Sequence, residues 1–282
     1  MRAGSALLAA VLAATSPAVA AQDSGPPASA APPRDDYALT FGLGAAVNPS
    51  YAGSNNYQVN PGGIIRGRVA GFAFQTQGLG LLVDLIRDGS GTLDVQAGPV
   101  VALNPNRVNR IQDRRVAALG ELDLAVEVGG FLGLSKTGII TSAYDSLTMT
   151  VAMRRDVTGT HDSHVIEPRI TYATPLDRRT LVALSVDAAI VGNGFARTYF
   201  GVTPQGAAAS GLAAYDLGGG VQDVGLNLIG VRSLGRDVRR GWALFGIAGF
   251  SRILGDFARS PVVRDAGSPN QFFSAMGLAY SF

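Results

Sequence analysis

Gln271-Phe272-Phe273-Ser274-Ala275-Met276-Gly277-Leu278-Ala279-Tyr280-Ser281-Phe282 is the stretch that decides the fold. Successive side chains of a strand point to opposite faces. Read as a strand, it puts Phe272, Met276, Leu278, Tyr280 and Phe282 on one face. Gln271, Ala275, Gly277, Ala279 and Ser281 fall on the other. One face is oily and the other is small or polar.

The same period recurs upstream. Tyr37, Leu39, Phe41, Leu43, Ala45 and Val47 oppose Thr40, Gly42 and Gly44. Leu147, Met149, Val151, Met153 and Val157 oppose Thr148, Thr150, Arg154 and Asp156, and 91–103, 121–134, 164–174, 180–191 and 219–234 alternate likewise. The pattern is weaker in 61–86 and in 240–254. Glycine is abundant at 37 residues and charged residues make up only 16%. Mean hydropathy is positive, yet beyond the N-terminal region there is no apolar run of the roughly 18 residues that a membrane helix needs. A transmembrane barrel produces that combination, because only alternate residues face lipid. A soluble lipocalin-like barrel also alternates, with its oily face inward, and composition alone does not separate the two.

The ends of the sequence favour the membrane. Arg2, the apolar stretch Ala6 to Ala14 and the small residues Ala18-Val19-Ala20 read as a secretory signal peptide, cleaved after Ala20. Residues 21–36 (AQDSGPPASAAPPRDD) are rich in Pro, Ala and Ser and read as a flexible periplasmic leader, leaving 37–282 as one barrel domain. The last strand, with its terminal aromatic residue, resembles the closing strand of bacterial outer-membrane barrels, which the barrel insertion machinery reads. The polar faces carry small residues and charges of both signs, as suits a wet lumen.

There are no cysteines, so disulfide scaffolds and thiolate metal sites are excluded. The formal net charge is +2, and a pI near 9.1 follows from that small surplus. Lys136 is the one lysine among the basic residues. Arginine binds phosphate bidentately, which makes outer-membrane lipid and lipopolysaccharide the expected neighbours. With no concentrated basic face and an export signal, no nucleic-acid role is expected.

Chain direction yields a strand count. Outer-membrane barrels keep both termini in the periplasm and place their long loops outside. Counting back from Phe282 puts 255–270, 192–218 and 104–120 outside and makes 175–179 and 235–239 periplasmic turns. The stretch 37–90 must then supply an even number of strands, as 37–47, 61–70, 72–77 and 78–86, with a short hairpin near Gly78. The expectation is an all-β transmembrane antiparallel barrel of about 12 strands; ten, with 71–86 irregular, is the alternative.

Several segments also match a known pattern. They include Gly42-Leu43-Gly44 with Pro49-Ser50-Tyr51-Ala52-Gly53-Ser54, and Thr198-Tyr199-Phe200-Gly201-Val202-Thr203 before Ala207 to Leu212. Ala214-Tyr215-Asp216, Asp223-Val224-Gly225-Leu226, Phe250 to Asp256, Ser260-Pro261-Val262-Val263 and Gly277 to Phe282 complete the series. In order and spacing they resemble the MipA/OmpV family of outer-membrane proteins. The resemblance implies a barrel without known enzymatic activity. It also implies a structural or scaffold role in murein assembly, through binding of a murein hydrolase and synthase. A small-solute or antibiotic channel is the alternative function, and a surface adhesin the second alternative.

Three sets of residues are candidates for function. Tyr199 and Phe200 in the longest loop, with Ser260 and Pro261 in the last one, form either a lumen constriction or an anchor packing the loops on the rim. Arg66, Arg68, Asp94, Asp123, Glu127, Arg154, Asp156, Glu167, Arg169 and Asp187 fall on the polar faces. They either filter solutes by charge or pair into a network that ties the wall together and fills a narrow bore. Arg107, Arg110, Arg114 and Arg115 either clamp lipopolysaccharide phosphates or belong to a solvated loop. For catalysis the signal is poor: His161-Asp162-Ser163-His164 holds triad residue types, but neighbours in an extended segment point in opposite directions. No cofactor and no metal site is expected.

Overall fold

Residues that alternate in the sequence alternate in space, and the wall they build closes on itself. The computed structural model describes residues 37–87, 91–236 and 238–282. The expected signal peptide and leader lie outside the described residues. Among the described residues there are twelve strands: β1 (Tyr37–Pro49), β2 (Tyr57–Val69), β3 (Phe72–Gln77), β4 (Gly80–Val83), β5 (Leu93–Asn104), β6 (Ala125–Thr137), β7 (Ser146–Asp156), β8 (His164–Asp177), β9 (Thr180–Val191), β10 (Gly220–Ser233), β11 (Gly241–Ile253) and β12 (Asn270–Ser281). Each pairs with its sequence neighbours, and β1 pairs with β12 to close the barrel. The 12-strand reading holds, including the hairpin at Gly78, whose φ of 62° suits a residue without Cβ. Some bounds differ: β2 begins at Tyr57, β4 is a four-residue strand, and β6 begins at Ala125.

A 13-residue strand such as β1 runs about 43 Å, and a tilt of about 40° leaves roughly 33 Å of height, enough to cross the hydrocarbon core. The outward face carries the apolar residues: Leu43, Val59, Leu132, Met276 and Leu278 are all exposed there. Aromatic side chains bound this belt. Trp242 and Tyr280 stand 5.1 Å apart at the end with short turns, beside Phe282, and Phe250 and Phe272 stand 5.2 Å apart near the end with long loops. Such girdles mark the two interfaces of a transmembrane barrel. We refer to the turn end and the loop end.

The β3–β4 hairpin stitches the wall on a slant. It meets β2 only at Arg66–Val69 and meets β5 at Val100–Ala102. Beyond it, the Thr76 hydroxyl carries the ladder one step further by accepting from Ile65 N at 3.1 Å. Pro61 lies on that same edge of β2, facing away from its partner Ala45 on β1. The missing N–H of Pro61 therefore removes no ladder bond and blunts an unpaired edge.

The inward face departs from the expected wet lumen. Toward the turn end, Ile64, Leu181, Ile229, Phe245 and Ile247 form one apolar core, with Phe273 and Ala275 packed against it. Leu82, Val100, Phe131 and Ala152 form another on β4 to β7. This explains the weak alternation in 240–254. Trp242, Leu244 and Phe250 face out, while Phe245, Ile247 and Ile253 are apolar residues facing in.

Candidate functional site: the charged bore and its cap

Between the apolar floor and the loop end lies a band of charge. Glu127 on β6, Arg154 on β7, Glu167 and Arg169 on β8 and Asp187 on β9 all point inward. Register explains their meeting: Arg154 faces Gly129 across β6–β7, and Arg169 pairs directly with Asp187 across β8–β9. They form an alternating chain. Arg154 binds Glu127 and Glu167, each at 3.0 Å; Arg169 binds Glu167 at 2.7 Å and Asp187 at 3.4 Å. Neutral donors complete the carboxylates. Asn104 donates to Glu127 at 3.2 Å, and Asn227 donates to Asp187 at 2.7 Å. Gln77, at the end of β3, donates to Glu167 on β8 at 3.0 Å, a bond that crosses the bore. Buried charge is tolerable only when paired and hydrogen-bonded in this way.

The other predicted bore charges have separate places. Arg66, Arg68 and Asp94 face inward on β2 and β5, away from this chain, and Gln96 donates to Asp94 at 3.1 Å. The Asp156 carboxylate folds the 157–163 loop by accepting from Thr158 N at 2.8 Å and His161 N at 2.7 Å. Asp123 is a correction: it is exposed and precedes β6, because the wall begins only at Ala125.

The long loops fold into short helices that sequence reading did not anticipate: α1 (Arg114–Ala117), α2 (Asn193–Phe200), α3 (Pro204–Ser210), α4 (Gly255–Arg259) and α5 (Pro261–Arg264). Their signals are local. Thr203 caps α3 by accepting from Gly206 N at 3.0 Å, Pro204 follows it, and Gly211 ends the helix at φ 73°. Ser260 and Pro261 begin α5 in the same manner. In α2, Phe195, Ala196, Tyr199 and Phe200 share one face and bury it against Phe257, Val263 and the inward ends of Val165, Val191 and Ile253. A second cluster joins Tyr51, Val116, Val202, Leu212, Val262 and Ala266.

Tyr199 and Phe200 are thus anchors inside a cap; both are almost fully buried. Ser260 ties the last loop to α2 by donating to the Phe200 carbonyl, and Pro261 is buried beside it. Tyr51 donates to the Ala266 carbonyl at 2.6 Å. Burial, aided by the Asp113 carboxylate, pushes the Tyr51 phenol up to about 12. Burial also raises the Tyr199 phenol, helped by Glu127 and Asp156.

Of the predicted lipopolysaccharide set, Arg107 is a correction. It is buried, and donates to the carbonyls of Thr198 at 3.2 Å and Gly120 at 2.9 Å, pinning the 105–124 loop under α2. Burial lowers its affinity for a proton. Arg115 is exposed but engaged, binding Asp113 at 3.0 Å and the Asp265 carbonyl at 2.8 Å. Arg110 and Arg114 remain exposed on the rim.

His161 links the two regions. Its ring packs 5.1 Å from Phe195 and 5.7 Å from Tyr199, and its Nε2 lies 3.4 Å from Glu127 Oε1. His164 instead begins β8, so the two histidines do not converge. Among the described residues no cluster of three metal-ligating side chains occurs. Gln77, Asn104 and Asn227 belong to the site without standing among the sequence candidates, and His161, weighed in the sequence only for catalysis and metal binding, belongs to it as well. The signal for the first three was a neutral polar residue at an inward position, at a strand end for Gln77 and Asn104 and in mid-strand for Asn227.

No curated protein matches this chain in sequence. Among solved structures, it is similar to the COG4313 outer membrane channel from Pseudomonas putida F1, with 11% identity, 92% of this chain and 100% of that chain covered, and a TM-score of 0.46. OmpT of Vibrio cholerae follows at 8% identity, 89% and 99% coverage and a TM-score of 0.33. OccK11 (OpdR) of Pseudomonas aeruginosa matches at 11% identity, 87% and 95% coverage and a TM-score of 0.29. These likenesses are too distant to bear on function. The family described as MltA-interacting protein MipA matches residues 41–282, nearly the whole barrel, and the chain belongs to that family of outer-membrane proteins.

Proposed function

We propose that this barrel is a closed scaffold in the outer membrane that binds a murein-remodelling enzyme, rather than a passage for solutes. The observation that carries the reading is the bond across the bore from Gln77 to Glu167. It lies beneath a cap cored by Tyr199 and Phe200 and above an apolar floor cored by Phe245 and Ile247. Small inward residues that would be wet in an open pore are dry: Ser185 is 0% exposed and Ala183 1%. A filled bore suits a protein whose surfaces do the work. The family's name supplies the kind of partner, an enzyme that cuts murein. Cross-linking in intact cells, followed by capture of the barrel from solubilised membranes, is expected to recover murein hydrolases or synthases. Recovery of neither would count against the scaffold.

A small-solute channel is the second reading, supported by the charged band along the wall. It requires the cap to swing away and the Gln77 bond to break. Single-channel recording on the folded protein discriminates: brief, rare openings fit the channel, and a silent bilayer fits the scaffold. Contact with lipopolysaccharide phosphates is supported for Arg110 and Arg114, whose guanidiniums are exposed on the rim. An adhesin role would use the same rim, and loss of attachment on deleting 108–112 would support it.

A further inference from the structure

The turn end carries a concentration of arginine that the scaffold reading does not use. Two adjacent turns, 178–179 and 234–240, hold Arg178, Arg179, Arg236, Arg239 and Arg240, all exposed, with Arg232 on the outward face just above them. The sequence places only Asp177 and Asp237 among these six cations. The turns are fastened together: Val238 N donates to Arg178 O at 3.1 Å and Ser233 N to Arg179 O at 2.7 Å. Arg232 pairs with Asp177 at 3.3 Å and bonds the Thr180 hydroxyl. The arginines are therefore carried on one joined platform of backbone. The 138–145 turn, by contrast, exposes Ile139 and Ile140, so the platform occupies one side of the rim.

Its height identifies the partner. Gly241 alone separates Arg240 from Trp242, and the Trp242 carbonyl accepts from Leu234 N at 2.8 Å, inside the same turn. Trp242 faces outward against Tyr280, its neighbour across β11–β12, in the aromatic girdle. Aromatic belts sit at the level of the lipid headgroups. Guanidiniums immediately below such a belt meet phosphate, which they bind bidentately.

We propose that the arginine platform on the 178–179 and 234–240 turns binds the phosphodiester headgroups of anionic phospholipids in the leaflet facing the turn end. It thereby holds a shell of acidic lipid on one side of the barrel.

Trp242 is the only tryptophan in the chain and reports on the lipid beside the platform. The full protein is reconstituted in phosphatidylcholine bilayers containing brominated phosphatidylglycerol or, at equal mole fraction, brominated phosphatidylcholine. The anionic quencher is expected to be enriched next to Trp242 by about fivefold, the factor that one engaged guanidinium near an anionic surface contributes. The triple variant Arg178→Gln/Arg179→Gln/Arg236→Gln should lose that preference while keeping the unheated SDS mobility of the folded barrel. In the unaltered protein, about 1 M NaCl, where the Debye length is about 3 Å, should also collapse it. Equal quenching by the two lipids overturns the proposal. So does a preference that survives both the triple variant and high salt.

Discussion

The Ser260 hydroxyl donates to the Phe200 carbonyl at 2.6 Å, joining two loops that lie 60 residues apart in sequence. Both groups are buried in the cap, so neither has water to turn to. Ser260→Ala would leave the carbonyl without a donor, at a cost of about 1–3 kcal/mol. Because the strands pair independently of this bond, the loss should appear as faster proteolysis of the 255–264 loop in the folded barrel. The SDS mobility should not change.

Arg154 neutralises two carboxylates at once. Arg154→Met would leave Glu127 in the bore without its arginine, and Glu167 with Arg169 alone, and destabilise the barrel by about 3–5 kcal/mol, the cost of breaking a buried ion pair. Adding Glu127→Gln removes the unpaired charge and should recover part of the loss. Urea-driven unfolding from lipid vesicles measures both.

The seam that closes the barrel runs through two glycines. Gly44 on β1 faces Gly277 on β12. A Cβ on Gly44 would lie 2.1 Å from the Met276 carbonyl oxygen, and one on Gly277 would lie 2.2 Å from that of Leu43. Backbone cannot retreat as a side chain can. Gly44→Ala and Gly277→Ala are each expected to weaken closure by about 1–3 kcal/mol and to reduce the yield of the heat-modifiable band. Gly246→Ala, where a Cβ would meet nothing within 4 Å, is the control and should fold normally.

Asp145 organises the 138–145 turn. It accepts from Ile139 N at 2.7 Å, Ile140 N at 2.9 Å and the Tyr172 hydroxyl at 2.8 Å. Burial opposes its charge, but these donors together with Thr141 outweigh it and hold the carboxyl well below the usual carboxylate range. A depressed folded pKa stabilises the turn fully above the unfolded value of about 3.9, and that stabilisation is lost progressively as the pH falls from there through the folded value. Relative to the intrinsic rate at each pH, amide exchange at Ile139 and Ile140 should therefore quicken in acid. In Asp145→Asn it should be quick at neutral pH as well.

Tyr51 shows the opposite sign. With its phenol pushed up to about 12 by burial, against an ordinary value of about 10, the folded cap prefers the protonated form. The stabilisation is complete below about pH 10 and is lost as the pH rises toward 12. Alkaline titration of phenolate absorbance should show late components from Tyr51 and Tyr199, and Tyr51→Phe should remove the earlier of the two.

Much of this was legible residue by residue, and the exceptions share a cause. Glu127, Arg154, Glu167, Arg169 and Asp187 could be assigned to the inward face from alternation alone. That Arg154 reaches both glutamates depends on how β6, β7 and β8 are registered, which no single strand states. Phe245, Ile247 and Phe273 take no face from the sequence, because an apolar side chain reads the same whether it meets lipid or a packed floor. Arg107 was misjudged because a cation in a loop reads as exposed until a helix lies over it.

Strand period is a local property, since each peptide unit turns its side chain opposite to the one before. The sequence by itself therefore determined the barrel, the faces of its strands and, through parity, their number and the hairpin at Gly78. Whether the bore is open or filled depends on contacts between residues far apart in the chain: Gln77 with Glu167, Ser260 with Phe200, Tyr51 with Ala266. Those distances are set by register and loop packing, so only the tertiary structure decided which groups meet across the bore and under the cap.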